Sequence, residues 1–387
     1  MFESSGNGVI SLSTFVCKVY KHFEKVTDYR VDRGGNHPLI EMIFLTLCAS
    51  LCDADGWADV ERFGKAKLLW LRQFLPFEHG IPSHDSLGRV FARLDTIEFY
   101  AALQSWVSDI AGSLKGETVA FDGKTLRGSF DEASSKSALH SVSAWACGMK
   151  MCLGLTSTDA KSNEIPAVQQ LIGMLDLQGS VVTADAMHCQ KDTVEAIINK
   201  EADYLLTAKG NQPKLTEAVR EVLLEGLDQN KRRSTLDTQE KNRNRDEFRE
   251  VLIVACPKNH PIFSQWKGIR TIGVVTTIRK VGDREEEVAS TCFISSLPPK
   301  VRDITTRLRS HWSIENSQHY ILDVTFGEDS SRIRKGTGPE ISSVFRRLAL
   351  TILQRDTSIK DNIRGKRKRC SWDDSLLTQL IRGYSKV

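Results

Sequence analysis

The chain has 387 residues, of which 40% are hydrophobic and 26% are charged, and a formal net charge of +4 at pH 7. This composition is typical of a globular protein with a sizeable core. The longest apolar stretch, HPLIEMIFLTLCASLC, is too short to cross a bilayer and contains Glu41, which argues against a membrane protein. No signal peptide is expected, and nine scattered cysteines suit reduced thiols in a cytoplasm.

Residues 1–110 are predicted to form a helical N-terminal domain. Helical periodicity runs through residues 38–110, with Ser83 and Asp85 as N-cap candidates. A helix carrying Arg89 and Arg93 follows a short turn, which is also the arrangement of a DNA-reading helix–turn–helix. Plain helical packing is the commoner origin of this pattern, and both interpretations stay open.

The pattern changes after residue 110. TVAFDG, LHSVSAWACG and MKMCLGLTST are three strand-like runs, followed by a helix, a buried strand, a second helix and a fifth strand, DYLLTAK. This order predicts an α/β core with a mixed five-stranded sheet flanked by helices. We assign the core to residues 111–210 and 300–360.

Two further segments have their own character. Residues 211–299 contain three strand-like runs after a polar linker, NKRRSTLDTQEKNRNRD, and are predicted to form a β-rich insertion outside the main sheet. Residues 361–387 are predicted to be a basic C-terminal tail, since NIRGKRKRC holds five cations and no acid. Solvated surface charge is the common origin of such clusters, but several in one chain favour a polyanionic partner.

Acidic residues end two of the predicted core strands. Asp122 follows the first strand and Asp185 follows the fourth, so the two carboxylates meet at one edge if these strands are neighbours. Close carboxylates repel unless a cation lies between them, and Mg²⁺ prefers such hard oxygen ligands. Two ions about 4 Å apart can cleave a phosphodiester bond. The alternatives are a turn-forming aspartate at 122 and a helix N-cap at 185. A phosphate-binding P-loop is excluded at GKT, because Thr118 occupies the position that requires glycine.

Four blocks of sequence together carry a resemblance to a known family. TVAFDGKTLRGS, VVTADAMHCQKD, ADYLLTAKGNQP and HWSIENSQHYILDVTFGEDSSRIR resemble, in this order, the DDE transposases of bacterial insertion sequences. The nearest branch is the ISAs-type, or H-repeat-associated, group. HPLIEMIFLTLCASLCDADGW and GIPSHDSLGRVF match the same group, so the resemblance covers nearly the whole chain.

The resemblance implies a fold and a chemistry. It implies an RNase H-like core in which Asp122, Asp185 and Glu315 are the catalytic acids and hold the metal. It implies Mg²⁺ as cofactor, as two ions and with Mn²⁺ able to substitute. The implied partner is double-stranded DNA, both element ends and target, bound by a homodimer in the bacterial cytoplasm at the nucleoid. In the wider superfamily, arginine often stands four residues before the glutamate and lysine seven after, where this chain has His311 and Leu322.

Other acids compete with Glu315 for the third position. At 100° per residue, one inward helix face contains Leu308, Trp312, His319 and Leu322. Glu315 falls in the middle of that face, with His311 at its edge. The alternative to a metal ligand is a neutral or histidine-paired buried glutamate. Asp323 lies at the margin of that face. Two more acids follow a helix stop at Gly327 and suit a role in orienting arginines; these are Glu328 and Asp329.

The expected function is DNA transposition. The chain would cleave DNA at insertion-sequence ends and join the freed 3′ hydroxyl to target DNA. The alternatives are a nuclease of the same fold that does not join, and a catalytically decayed DNA-binding relic. Candidate phosphate contacts are Lys124, Arg127, Lys209, Asn211, Arg332, Arg334, Lys335, Lys366, Arg367, Lys368 and Arg369.

Overall fold

A computed structural model describes most of the chain. The described residues are 10–30, 35–130, 137–158, 164–228, 234–242, 245–281 and 285–384. Among the helices within these ranges, none combines the length and the apolar character needed to cross a bilayer.

The first part of the described chain is helical. Its helices are α1 (Ile10–Phe23), α2 (Leu39–Leu51), α3 (Trp57–Ala66), α4 (Leu68–Leu71), α5 (His84–Phe91) and α6 (Thr96–Ala111). Every residue of α2 except Ile40 is buried, which explains its nearly uniform apolar sequence. The side chain of Ser83 accepts the N–H of Ser86 at 3.2 Å, which confirms the predicted N-cap of α5.

A mixed sheet begins after α6. Its first five strands and their helices are β1 (Thr118–Leu126), β2 (Leu139–Ala146), β3 (Met151–Thr158), α7 (Glu164–Met174), β4 (Val181–Ala184), α8 (Lys191–Asn199) and β5 (Asp203–Ala208). β2 pairs antiparallel with both β1 and β3, whereas β4 pairs parallel with β1 and β5. The expected neighbourhood of the first and fourth strands is thereby confirmed.

The sheet continues through the predicted insertion. This segment contains α9 (Pro213–Asp228), β6 (Ser234–Asn242), β7 (Arg245–Ala255), β8 (Thr271–Val281) and β9 (Glu287–Ser295). β9 pairs antiparallel with β5, and the full order is β3-β2-β1-β4-β5-β9-β8-β7-β6.

Two sequence predictions about this region were wrong. The sheet has nine strands rather than five, and the inserted strands extend it instead of forming a separate unit. The reason is that β5 would otherwise present an unpaired backbone edge, which the backbone of β9 pairs, while its Phe293 and Ile294 side chains are buried in the core. The polar linker also contains β6, which pairs with β7 along its whole length. Pairing with a neighbour overrides a composition that favours a loop.

The chain ends in helices that pack back on the molecule. They are α10 (Val301–His311), α11 (Tyr320–Val324), α12 (Gly338–Arg355), α13 (Ile363–Trp372) and α14 (Asp374–Tyr384). α12 is buried from Gly338 to Leu353, and α13 and α14 contact α2 and α1. The described part of the predicted basic tail is therefore helical and docked, with Cys370 and Leu377 fully buried.

Candidate active site

Asp122 and Asp185 lie at the same edge of the sheet. The last residue pair between β1 and β4 is Phe121 with Ala184, and each aspartate is the next residue in its chain segment. β1 does not end there, contrary to the sequence prediction, but continues to Leu126 in pairing with β2. Asp122 therefore has a fixed backbone, and its side chain is only 13% exposed.

Glu315 reaches these aspartates from a π-helical turn, Glu315–His319, between α10 and α11. Its side chain is 65% exposed, and Trp312 is 44% exposed. The prediction of one continuous helix with both residues on an inward face was therefore wrong. A π-turn holds an extra residue and shifts the register between the flanking helices; such turns often occur at functional sites. Leu322 is buried, as that prediction required.

Two histidines that sequence reasoning did not assign to the site contact its acids. His319 is 5% exposed, and its Nδ1 lies 3.3 Å from Asp122 Oδ2 and 3.7 Å from Glu315 Oε2. The Nε2 of His311 lies 3.3 Å from Asp185 Oδ1, and its Nδ1 lies 3.1 Å from Thr183 Oγ1. The available sequence signal was helical periodicity, which put His319 on the same face as Glu315 and His311 at its edge.

The acids differ in their affinity for protons. Burial, reinforced by the negative charges of Asp185 and Glu315, raises the pKa of Asp122 to about 8. A hydrogen bond with His311 lowers the pKa of Asp185, and a hydrogen bond with His319 lowers the pKa of Glu315. The site therefore concentrates more negative charge than it can leave ionised, which is the condition that a bound cation relieves.

The donor atoms fit a divalent cation. Ligand atoms of Asp122, Glu315 and His319 all lie within 4.8 Å of one another. Carboxylate oxygens suit Mg²⁺ and Mn²⁺, and an imidazole is compatible with Mn²⁺. Asp185 lies outside this closest group and adds charge from the neighbouring strand.

A cleft of about 450 Å³ opens from the acids towards the inserted strands. Asp185, His311 and Glu315 are among its lining residues. The inserted strands contribute Arg249, whose guanidinium lies 4.8 Å from the ring centre of Trp312, and Arg279. Both arginines pair with Glu247, so the inserted strands bring charges of both signs to the cleft.

Three of the predicted phosphate contacts are held inside the protein, so those predictions were wrong. Lys124 has 9% side-chain exposure and pairs with Asp323 and with Glu328. Lys366 is 5% exposed and donates to the carbonyl oxygen of Leu353 at 2.9 Å. Arg367 is fully buried and donates to backbone carbonyls of α2 and of the loops after α2 and α11. Buried cations need such partners and are not available to a phosphate.

The remaining candidates lie at or near the surface. The side chain of Arg127 is 83% exposed, and three other cations are exposed: Lys209, Arg332 and Lys335. Arg334 is half-buried and stacks over Phe130, with 4.6 Å from guanidinium to ring centre. Lys368 and Arg369 are half-buried on α13. The amide nitrogen of Asn211 donates to the carbonyl of Ala186 at 2.7 Å, so it fixes the loop after Asp185.

The competing acids have other partners. Asp323 pairs with Lys124. Glu328 is buried and pairs with Arg347 at 2.7 Å, and Asp329 lies 3.7 Å from Arg127. Gly327 has a left-handed φ of 58° after the end of α11, as the predicted helix stop requires.

Comparison with known proteins decides the family. The model of the transposase DDE domain matches residues 113–352, and the model of its associated N-terminal domain matches residues 20–107. The chain belongs to the DDE transposase family. The transposase is 36% identical over 365 residues to "Putative transposase YncI" of Escherichia coli O157:H7, covering 94% of each chain. It is 34% identical over 371 residues to "H repeat-associated putative transposase YhhI" of Escherichia coli K12, covering 95% of this chain and 98% of that one. The predicted H-repeat group is confirmed.

Proposed function

We propose that this transposase cuts DNA at the ends of its insertion sequence and joins the freed 3′ hydroxyl to target DNA. Asp122, Asp185 and Glu315 are the proposed catalytic acids, and the strands β1 to β5 are the proposed RNase H-like core. The observation that carries the proposal is the meeting of the acids: Asp122 and Asp185 follow the last residue pair of β1 and β4, and ligand atoms of Glu315 and Asp122 lie within 4.8 Å of each other. Burial and the charges of the other two acids raise the pKa of Asp122 to about 8. A protein tolerates such crowding of acids where it serves a function.

Mg²⁺, as two ions and with Mn²⁺ able to replace it, is the proposed cofactor. When bound, such ions lower the pKa of a coordinated water or hydroxyl and stabilise the charge on the leaving oxygen. Asp122 and Asp185 would supply ligands from the sheet, and Glu315 would supply one from the π-turn. His319 and His311 orient the carboxylates of Asp122 and Asp185 through the contacts described above.

Double-stranded DNA is the proposed partner, bound by a homodimer that assembles on the element ends. Exposed cations support this choice. Lys209 lines the cleft together with Asp185, and Arg127 is exposed in the turn that follows β1. Their charges would position the phosphate backbone without reading its sequence.

The test uses purified protein, labelled element ends and supercoiled target DNA, with Mg²⁺ as the added ion. Asp122→Asn, Asp185→Asn and Glu315→Gln are each expected to reduce cleavage and joining by a factor of about 100 or more, because removing one of these charges disrupts the electrostatic site. DNA binding should remain, since the proposed phosphate contacts are made by other residues. Asp323→Asn is the matched control and should keep measurable activity.

The products separate the proposal from its alternatives. Cleaved but unjoined ends in the wild type would identify a nuclease. Binding without any cleavage would identify a decayed copy. Near wild-type cutting by Glu315→Gln, with Glu328→Gln inactive, would show that the third acid is wrongly assigned.

A further inference from the structure

A buried carboxylate outside the proposed metal site is bound by two histidines. Glu164, in the first turn of α7, is 3% exposed. Its Oε2 lies 2.8 Å from His140 Nε2 on β2, and its Oε1 lies 3.0 Å from His188 Nε2 in the turn after β4. Both histidines are buried as well, at 3% and 0% exposure. We call these three residues the Glu164 clamp.

The three residues of the clamp are held together by hydrogen bonds to an ionised carboxylate. Burial opposes ionisation of Glu164, but hydrogen bonds from His140 and His188 outweigh it and lower its pKa to about 2. An ionised carboxylate only accepts hydrogen bonds, so each histidine donates through Nε2. The Nδ1 of His140 then lies 2.9 Å from the hydroxyl of Thr125 on β1. Charge-assisted hydrogen bonds of this kind are among the stronger ones in proteins.

The clamp touches the two chain segments that carry the catalytic aspartates. Gly123 follows Asp122, and a Cβ at Gly123 would lie 2.5 Å from Glu164 Cδ and 2.7 Å from His140 Nε2. The backbone of β1 therefore rests against the clamp, on the face opposite the Asp122 side chain. His188 is tied to the other segment, since its backbone N–H donates to the carbonyl of Asp185 at 2.9 Å.

From this placement we infer that Glu164, His140 and His188 are positioning residues for the metal site. One carboxylate links the strand that follows Asp122 with the turn that follows Asp185, and so it sets the separation of the two aspartates. The inference rests on the proposed function for its consequence, which is metal affinity. Its structural part, the coupling of the two segments, stands independently of catalysis.

The first experiment needs neither metal nor activity. Hydrogen–deuterium exchange is measured for peptides covering residues 121–126 and 185–190 in the full-length protein. Loss of charge-assisted hydrogen bonds in Glu164→Gln should speed exchange in both peptides by about tenfold. Glu41→Gln is the matched control, since Glu41 is also buried and accepts the N–H of Phe77 at 2.8 Å. It should leave both peptides unchanged.

A second variant keeps the test decisive if Glu164→Gln folds poorly. His188→Ala removes one arm of the clamp and retains the bond between Glu164 and His140. It should loosen residues 185–190 and leave residues 121–126 near wild type. Unchanged exchange in Glu164→Gln, or equal effects of Glu164→Gln and Glu41→Gln on both peptides, would overturn the inference.

The second experiment measures metal affinity with Mn²⁺ as the probe, by electron paramagnetic resonance in the presence of DNA. Disturbing groups that orient metal ligands commonly weakens binding by about 10- to 100-fold, and Glu164→Gln is expected in this range. Wild-type Mn²⁺ affinity in a folded Glu164→Gln would overturn the positioning role. If the wild type binds no Mn²⁺, the proposed metal site fails, and hydrogen exchange alone decides whether the clamp couples the two segments.

Discussion

At the scale of single residues, the three acids of the site differ in how burial balances their histidine partners. His311 and His319 lower the pKa values of Asp185 and Glu315, while burial leaves Asp122 with a pKa of about 8. Near neutral pH Asp122 thus retains a proton that the other two lack. A cation that displaces this proton removes the repulsion among the three carboxylates.

The pKa of Glu164 predicts a pH dependence of stability. Its folded value of about 2 lies below its ordinary value of 4.5. Between these values the unfolded chain binds a proton that the folded chain does not. This contribution to the free energy of unfolding is therefore complete above pH 4.5 and is lost as the pH falls towards 2.

Glu164→Gln tests this dependence. We expect the variant to unfold about 3 kcal/mol more easily than wild type at pH 7, since each pKa unit corresponds to roughly 1.4 kcal/mol. The difference should shrink as the pH falls below 4.5. Urea denaturation at pH 7, 4 and 3 measures it, and a difference that stays constant with pH would contradict the assignment.

At the scale of elements, a chain of buried ion pairs joins β1 to α12. Lys124 on β1 lies 3.3 Å from Glu328, which pairs with Arg347 on α12 at 2.7 Å. Both Glu328 and Arg347 have fully buried side chains. This chain fixes the turn after Gly327 against the strand that carries Asp122, so it supports the site without contributing a ligand to it.

Breaking the pair should cost much of the stability of the fold. Glu328→Gln leaves Arg347 buried without a carboxylate, and such uncompensated charges destabilise by about 3–5 kcal/mol. Asp329→Asn is the control, because its pairing with the exposed Arg127 should contribute no more than about 1 kcal/mol. Thermal and urea unfolding of the two variants provides the measurement. A Glu328→Gln protein as stable as Asp329→Asn would show that the ion pair is dispensable.

At the scale of the whole molecule, the pairing of the inserted strands with the core strands determines which charged residues lie near the acids. Because β9 pairs with β5, the strands β7 to β9 line the same cleft as Asp185 and Glu315 and contribute Arg249 and Arg279 to it. The exposed cations form a second set. Of the buried ones, Lys366 holds α13 to the end of α12, and Arg367 holds α13 to α2.

The exposed and the buried cations should respond differently to substitution. Replacing Arg127, Lys209, Arg332 and Lys335 with alanine should flatten the dependence of log K for DNA on log salt by about 0.9 for each phosphate that is no longer neutralised. Fluorescence anisotropy across a salt series gives this slope. Lys366→Ala with Arg367→Ala should instead lower the unfolding temperature and leave the slope unchanged. If the slope flattens only in the variant with Lys366→Ala and Arg367→Ala, the DNA contacts lie on α13 instead.

The sequence by itself determined the family, the order of the core elements and the place of two acids. Apolar runs ending at Asp122 and Asp185 are local patterns, and the parallel pairing of β1 with β4 brings their ends together as expected. The N-cap at Ser83 is also local, because capping depends on residues within one turn. Family motifs added Glu315 as a proposed third acid.

Only the tertiary structure decided what depends on distant contacts. β9 pairs with the edge of β5, so the segment that was predicted to be a separate unit is part of one sheet. His319 is buried on the face that helical periodicity predicted, beside Asp122, but the π-turn leaves Glu315 exposed, which a fixed 100° per residue does not anticipate. Lys366 and Arg367 look like surface charge in sequence, since burial is set by partners that lie far away along the chain, such as Ser50 for Arg367.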